Sequence, residues 1–201
     1  MGGTALRWQK KLIFKFILVL FLLISIGCQT SDNHEWTLPN LPRPIAKEKA
    51  LITSAGQSTD AYIIAEMANQ LLINNTFLPR AKETDLVNKS SLVVIVGYSP
   101  TGLKAANITF QNEKERLTHL LDKAVEQKMK VIVLHIGGKQ RRNKWSDALL
   151  EMVVRRADYL IGVRSANYDG WFTKLSLQYN FPLTLVQDLG ELKVPFTSIY
   201  R

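Results

Sequence analysis

From residue 49 onward, short apolar runs alternate with longer stretches whose apolar residues recur every three or four positions. The runs 50–54 (ALITS), 91–96 (SLVVIV), 130–136 (KVIVLHI), 158–163 (DYLIGV) and 182–186 (PLTLV) are apolar at successive positions. That pattern predicts strands buried on both faces. A weaker strand is expected at 76–78, stopped by Pro79. Between the strands, residues 60–72 carry Ile64, Met67, Ala68, Leu71 and Leu72 at helical spacing. Residues 110–128 place Leu117, Leu120, Leu121, Ala124 and Val125 on one stripe. A further helix is expected to start at Ser146 as its cap, with Trp145 and Leu150 as a hydrophobic staple, burying Leu149, Leu150, Val153 and Val154. Residues 170–179 predict a short helix, and no period settles the stretch from Asp188. Helices alternating with doubly buried strands imply an α/β fold: a three-layer, Rossmann-like, doubly wound and mostly parallel sheet of about 5–6 strands.

The first residues follow a different pattern. Arg7, Lys10, Lys11 and Lys15 form a positive head with no acidic residue before Asp32. Residues 16–26 (FILVLFLLISI) are apolar apart from Ser25. As a helix they rise about 16 Å, roughly half of a hydrocarbon core, which suits an export signal better than a spanning helix. Cys28, the single cysteine of the chain, follows Gly27 where the apolar run ends. Residues 25–28 (SIGC) resemble the lipobox of bacterial lipoproteins, although Ser25 stands where leucine is usual. The resemblance implies cleavage before Cys28 and a lipid on its sulfur; an uncleaved anchor and a signal cut elsewhere are the alternatives. The expected organisation is a signal peptide at 1–27, a lipidated Cys28 with a proline-containing tether at 28–48, and one α/β domain at 49–201.

Charge changes the picture only slightly. The chain holds 26 basic and 17 acidic residues. Removing the leader takes away four basic residues and no acidic one, leaving 22 against 17, a net of +5. A surplus of that size, on an exported chain, argues against nucleic acid as a partner. With one cysteine no intramolecular disulfide can form, so the domain must stand on its core.

In doubly wound sheets ligands bind beyond the carboxyl ends of the strands, near the point where strand order reverses. The loops expected there carry the unusual residues. Ser58 follows the first strand and Ser99 the second convincing one, and Asn167 and Asp169 lie in the loop after DYLIGV. After His135, two glycines (Gly137, Gly138) stand beside Lys139, Arg141, Arg142 and Lys144. Glycine lets backbone N–H groups approach a ligand, and arginine offers a planar fork for carboxylate or phosphate. An anion site and a solvated basic loop both fit this segment. His135 ends its strand at the same edge, as an acid/base or as a packing histidine; Ser58 also suits a helix cap. Gly97–Lys104 lacks the spacing of a nucleotide-binding loop, no G-x-S-x-G occurs, and no His/Asp/Glu cluster has metal-ligand spacing. Neither a cofactor nor a metal is therefore expected.

Taken together, ITSAGQSTD, GYSPTGLKAANI, VLHIGGKQRRNKWSD, ADYLIGVRSANYDGWFTKLS and PLTLV resemble an exported bacterial lipoprotein domain family of unknown function. The likeness spans most of residues 50–187, and HIGG with the paired arginines and Ser-Asp, and Asn-x-Asp-Gly-x-Phe-Thr, are its most specific parts. It implies the same lipoprotein architecture and α/β fold, and no activity. The leading expectation is a protein anchored to the outer face of a bacterial membrane through Cys28 that binds a small anionic solute such as a carboxylate. Ser58, Ser99, His135, Gly137, Gly138, Arg141, Arg142, Asn167 and Asp169 are the candidate binding residues. Competing expectations are a hydrolase or isomerase using His135 with Asp169 or Asp147, and an accessory subunit docked on a membrane transporter.

Overall fold

A computed structural model describes residues 37–201; the leader, Cys28, His34 and Trp36 lie outside the described residues. Six strands, β1 (Ala50–Ala55), β2 (Asn75–Phe77), β3 (Ser91–Val96), β4 (Lys130–His135), β5 (Tyr159–Val163) and β6 (Leu183–Val186), form one sheet in the order β2-β1-β3-β4-β5-β6. Every pairing is parallel. The connecting helices are α1 (Asp60–Gln70), α2 (Pro100–Ala105), α3 (Phe110–Glu126), α4 (Lys144–Val154), α5 (Trp171–Tyr179) and α6 (Lys193–Thr197).

Alternate strand residues feed two separate cores. Leu51, Val94, Val133, Leu160 and Leu185 pack beneath Leu117, Leu121, Leu149, Val153 and Phe172 of α3, α4 and α5. On the other face Ile52, Ile95, Leu134 and Ile161 meet Ile64 and Ala68 of α1 and Phe196 of α6. This is the three-layer, doubly wound α/β architecture expected from runs that are apolar on both faces. Strand order reverses between β1 and β3, and the register brings Ala55 level with Val96 and His135 level with Gly162. The loops after β1, β3, β4 and β5 therefore share one edge.

Four local departures from the sequence reading have physical causes. Asn143, not Ser146, caps α4: its Oδ1 accepts the N–H groups of Trp145 and Ser146, both at 3.0 Å. Ser146 sits inside the first turn and its hydroxyl accepts Tyr98 N–H. Trp145 stacks on Tyr98 and meets Phe110 edge-on, so no staple to Leu150 forms. Ser58 caps nothing, since the residue before α1 is Thr59 and no side chain caps that helix. The unforeseen α2 starts with Pro100, whose missing N–H costs nothing in a first turn, while Ser99 accepts Gly102 N–H at 3.0 Å. Finally, the described part of the expected tether lies against the domain. Leu38 N–H donates to Leu183, Leu41 is buried and donates to Ser198 Oγ, and Ile45 and Ala46 both donate to the Ile199 carbonyl. Backbone donors satisfied in this way make residues 37–48 a strap on the α1 face.

The loop after β1 is held by a buried ion pair that the sequence reading did not single out. Glu113, on the first turn of α3, is fully buried. Its Oε1 accepts Gly56 N–H at 2.8 Å, Gln57 Nε2 at 3.0 Å and Arg116 Nη2 at 2.8 Å, and its Oε2 accepts Arg116 Nε at 2.9 Å. Arg116 in turn donates to the carbonyls of Ala81 and Ser54, both at 2.6 Å. Removing one partner of such a pair strands the other charge in the interior, which costs about 3–5 kcal/mol. Glu113→Ala is expected to lower urea-unfolding stability by about 3 kcal/mol or more. A loss below about 1 kcal/mol would place this pair among ordinary surface bridges.

Candidate functional site

Gly97 follows β3 beside the strand-order reversal, and two polar side chains occupy the space a larger residue would need. A Cβ built on Gly97 would lie 2.6 Å from Ser58 Oγ and 3.0 Å from Asp60 Oδ2. Glycine is thus required here for room, with no demand on φ. Both side chains come from the loop and first helical turn after β1, and both are buried. His135, at the end of β4, is also buried, and its Nδ1 lies 3.0 Å from the Val96 carbonyl. A carbonyl oxygen only accepts, so Nδ1 carries the proton and the neutral ring presents a bare acceptor at Nε2. Ser58 Oγ, Asp60 Oδ2 and His135 Nε2 have no hydrogen-bond partner in the structure, and neither does Ser54 Oγ at the end of β1. Orphaned buried polar atoms are rare in folded proteins and cost free energy each. Here Ser58 and Asp60 meet beside Gly97, and His135 is held by Val96, the residue before that glycine.

Burial is the main force on His135, pushing its imidazole below the usual 6.5. The Val96 carbonyl pulls the other way, Arg142 adds to the depression, and Asp60 and Asp147 oppose it. The ring also packs edge-on against Phe172, with centroids 5.5 Å apart. The result is a neutral histidine at neutral pH whose free nitrogen faces no protein donor.

The basic loop after His135 divides into two parts. Arg142 turns inward, with only 4% of its side chain exposed. It bonds Asp147 through Nε at 2.7 Å and Asp169 through Nη2 at 3.0 Å, donates to the Ala166 carbonyl, and lies over the rings of Trp171 and Phe172. Two carboxylates answer its charge inside the protein, which corrects its reading as a ligand-gripping arginine. Burial works against ionisation of Asp169, but the Arg142 and Trp171 hydrogen bonds outweigh it and hold the carboxyl below its ordinary range. Asp147 and Asp169 are thereby committed to Arg142 and not to His135. Asn167 is likewise engaged, accepting Phe172 N–H and donating to Thr173 Oγ1. Ser99 caps α2.

Lys139, Arg141 and Lys144 remain exposed at the rim. Lys139 lies over Tyr168 and Lys144 over Trp145, so they splay apart. Gly137 lies under the aliphatic stem of Arg141, whose Cγ would be 2.2 Å from an added Cβ, and Gly138 takes a positive φ of 68°. Both glycines are needed for the turn that carries these cations. Of the expected residues, the structure sets Ser58 beside Gly97 with the unforeseen Asp60, and His135 against the Val96 carbonyl. Arg142, Asn167 and Asp169 form a second group that braces the loops. Among the described residues no three His, Cys, Asp or Glu side chains converge to hold a metal, and no helix is long and apolar enough to cross a membrane.

Fold and edge together define a doubly wound α/β domain with a buried, partly unanswered polar cluster at its strand-order reversal. The chain belongs to a family described as a domain of unknown function, DUF6305, whose model matches residues 47–200. No curated protein matches it. A solved structure of a serine-to-alanine mutant of the esterase AlinE4 is similar at a TM-score of 0.29 and 10% identity, over 69% of this chain and 75% of that one. A likeness that shallow carries no inference about activity.

The depressed His135 pKa has a consequence for stability. The unfolded chain takes up the proton at higher pH than the folded one, so stability rises with pH across the interval between the two values. The His135 contribution is complete above about pH 6.5 and is lost as the pH falls through the lower, folded value. Urea midpoints measured from pH 7.5 to 5 should fall more steeply for the wild type than for His135→Gln. Parallel curves would remove His135 as the cause.

Proposed function

We propose that the chain is an exported protein, anchored through a lipid on Cys28, whose domain binds a small anionic solute such as a carboxylate at the carboxyl edge of the sheet. The observation that supports the binding half is a set of three buried polar atoms without partners at this edge: Ser58 Oγ and Asp60 Oδ2 beside a glycine that makes room for them, and Nε2 of His135, whose Nδ1 bonds the neighbouring Val96. Asp60 Oδ2 and His135 Nε2 are acceptors, and only the Ser58 hydroxyl can donate. The solute they suit carries a hydroxyl or amine beside its negative group, and the exposed Lys139 and Arg141 at the rim supply the opposite charge. Arg142 plays no direct part; it holds the loops after β4 and β5 together.

A second reading draws on His135 alone. Its protonated Nδ1 is held by a carbonyl and its Nε2 is bare, the arrangement of a general base. In that reading Asp60 takes the assisting place first expected of Asp147 or Asp169.

Calorimetric titration of a hydroxy- and amino-carboxylate panel tests the binding reading. At least one compound should bind, with affinity reduced tenfold or more by Ser58→Ala and by His135→Asn while the unfolding midpoint stays high. Binding indifferent to both substitutions would defeat it. Product released by the wild type and not by His135→Asn would favour the base reading instead.

The anchor is tested separately, by detergent phase partition after expression in a bacterial host. The processed wild type should enter the detergent phase with a mass increment on its first residue, and Cys28→Ser should not. An unmodified Cys28 in the mature wild type would rule the anchor out.

A further inference from the structure

A second cationic feature lies on the same edge, away from the loop that drew attention in the sequence. Arg80, Lys82, Ile108, Asn112 and Arg116 line a groove of about 450 Å³ between the loop after β2 and the first turns of α3. Arg116 stands at its back, 11% exposed, with Nε and Nη2 committed to Glu113 and with single bonds to the Ala81 and Ser54 carbonyls. Four of its five N–H groups are engaged and its orientation is fixed, leaving one Nη1 proton. Asn112 is fixed in the same manner, because its Oδ1 accepts both the N–H and the hydroxyl of Thr109. Among the described residues its Nδ2 protons have no partner. Arg80 and Lys82 are exposed, and among the described residues neither is in an ion pair. The one carboxylate behind the groove, Glu113, is saturated by its own donors, and Asp85 is turned to the backbone N–H of Lys82.

We propose that this groove is a binding site for a small oxyanion, phosphate or carboxylate, held by Arg80, Lys82, the free N–H of Arg116 and the amide of Asn112. Every polar group it offers is a donor, three of the four are cationic, and the two at the back are held rigid by bonds made before any ligand arrives. That is the composition an oxyanion requires and one a neutral or cationic ligand does not. The site is independent of the Ser58 cluster. Gln57 reaches Glu113 and the Pro79 carbonyl on the groove side, whereas its neighbour Ser58 turns to Gly97.

The test titrates inorganic phosphate and, in a separate arm, succinate into the chain from residue 28 onward carrying Cys28→Ser, against chloride at matched ionic strength. Saturable one-to-one binding of at least one probe is expected, weakened tenfold or more in Arg80→Ala/Lys82→Ala. Both residues are exposed, so that variant should fold normally. Arg116 is left intact because it supports Glu113. Lys139→Ala/Arg141→Ala and Ser58→Ala should leave the affinity within twofold. The proposal is overturned if neither probe saturates, if the Arg80/Lys82 variant binds as the wild type does, or if the Lys139/Arg141 or Ser58 variant loses binding instead. Failure of the solute reading at Ser58 and His135 would leave this titration unchanged.

Discussion

A carboxylate with no exposure to water organises the carboxyl edge of this domain's sheet. Glu113 is expensive to bury, and the structure meets the cost by surrounding it with donors from three places: the backbone of Gly56, the side chain of Gln57 and the guanidinium of Arg116. Those donors belong to the loop after β1 and to α3, elements more than fifty residues apart in sequence. Because Arg116 continues to the Ser54 and Ala81 carbonyls, the same pair also fastens the segment after β2. One ion pair thus sets where the β1 loop stands relative to α3.

With that loop held, Gly56 and the facing Gly97 decide what fits beside it. Gly56 has a φ of 100°, and a Cβ there would meet the Gly97 carbonyl oxygen at 2.6 Å, so the loops after β1 and β3 touch through backbone. Gly97 then leaves space for Ser58 and Asp60, and His135 of β4 reaches the carbonyl of the neighbouring Val96. The polar cluster and the cationic groove are two sides of one braced loop. Along the edge a second ion-pair set, Asp147–Arg142–Asp169, braces the loops after β4 and β5 in the same manner.

The cations illustrate how little a side chain's type says about its use. Arg141 and Arg142 are neighbours in a basic run, and the run reads as a single positive surface. In the fold Arg142 is enclosed by two carboxylates and aromatic rings, while Arg141 lies over Gly137 with its charge in water. Arg80, Lys82 and Arg116 form the opposite case. They are scattered over thirty-seven residues of sequence and share one groove. Ser58, read as either a cap or a ligand group, caps nothing, and Asp60 joins it beside Gly97.

Read alone, the sequence determined the layer architecture and the edge on which its strand-to-helix loops lie. Successive apolar residues in strands such as 91–96 can be buried only between two layers of helix, and parallel strands must turn at the same end, so residues 58, 99, 135 and 167 were bound to lie along one edge. The family match over residues 47–200 agrees with the expected family of unknown function. Only the tertiary structure decided which charges are answered inside the protein. Hydrogen bonds act over about 3 Å, a distance set by how helices and loops pack across the sheet and not by separation along the chain. For the same reason the strap at 37–48 looked like a free tether: its few apolar side chains and its backbone donors find partners only once β6 and the C-terminal turn are in place.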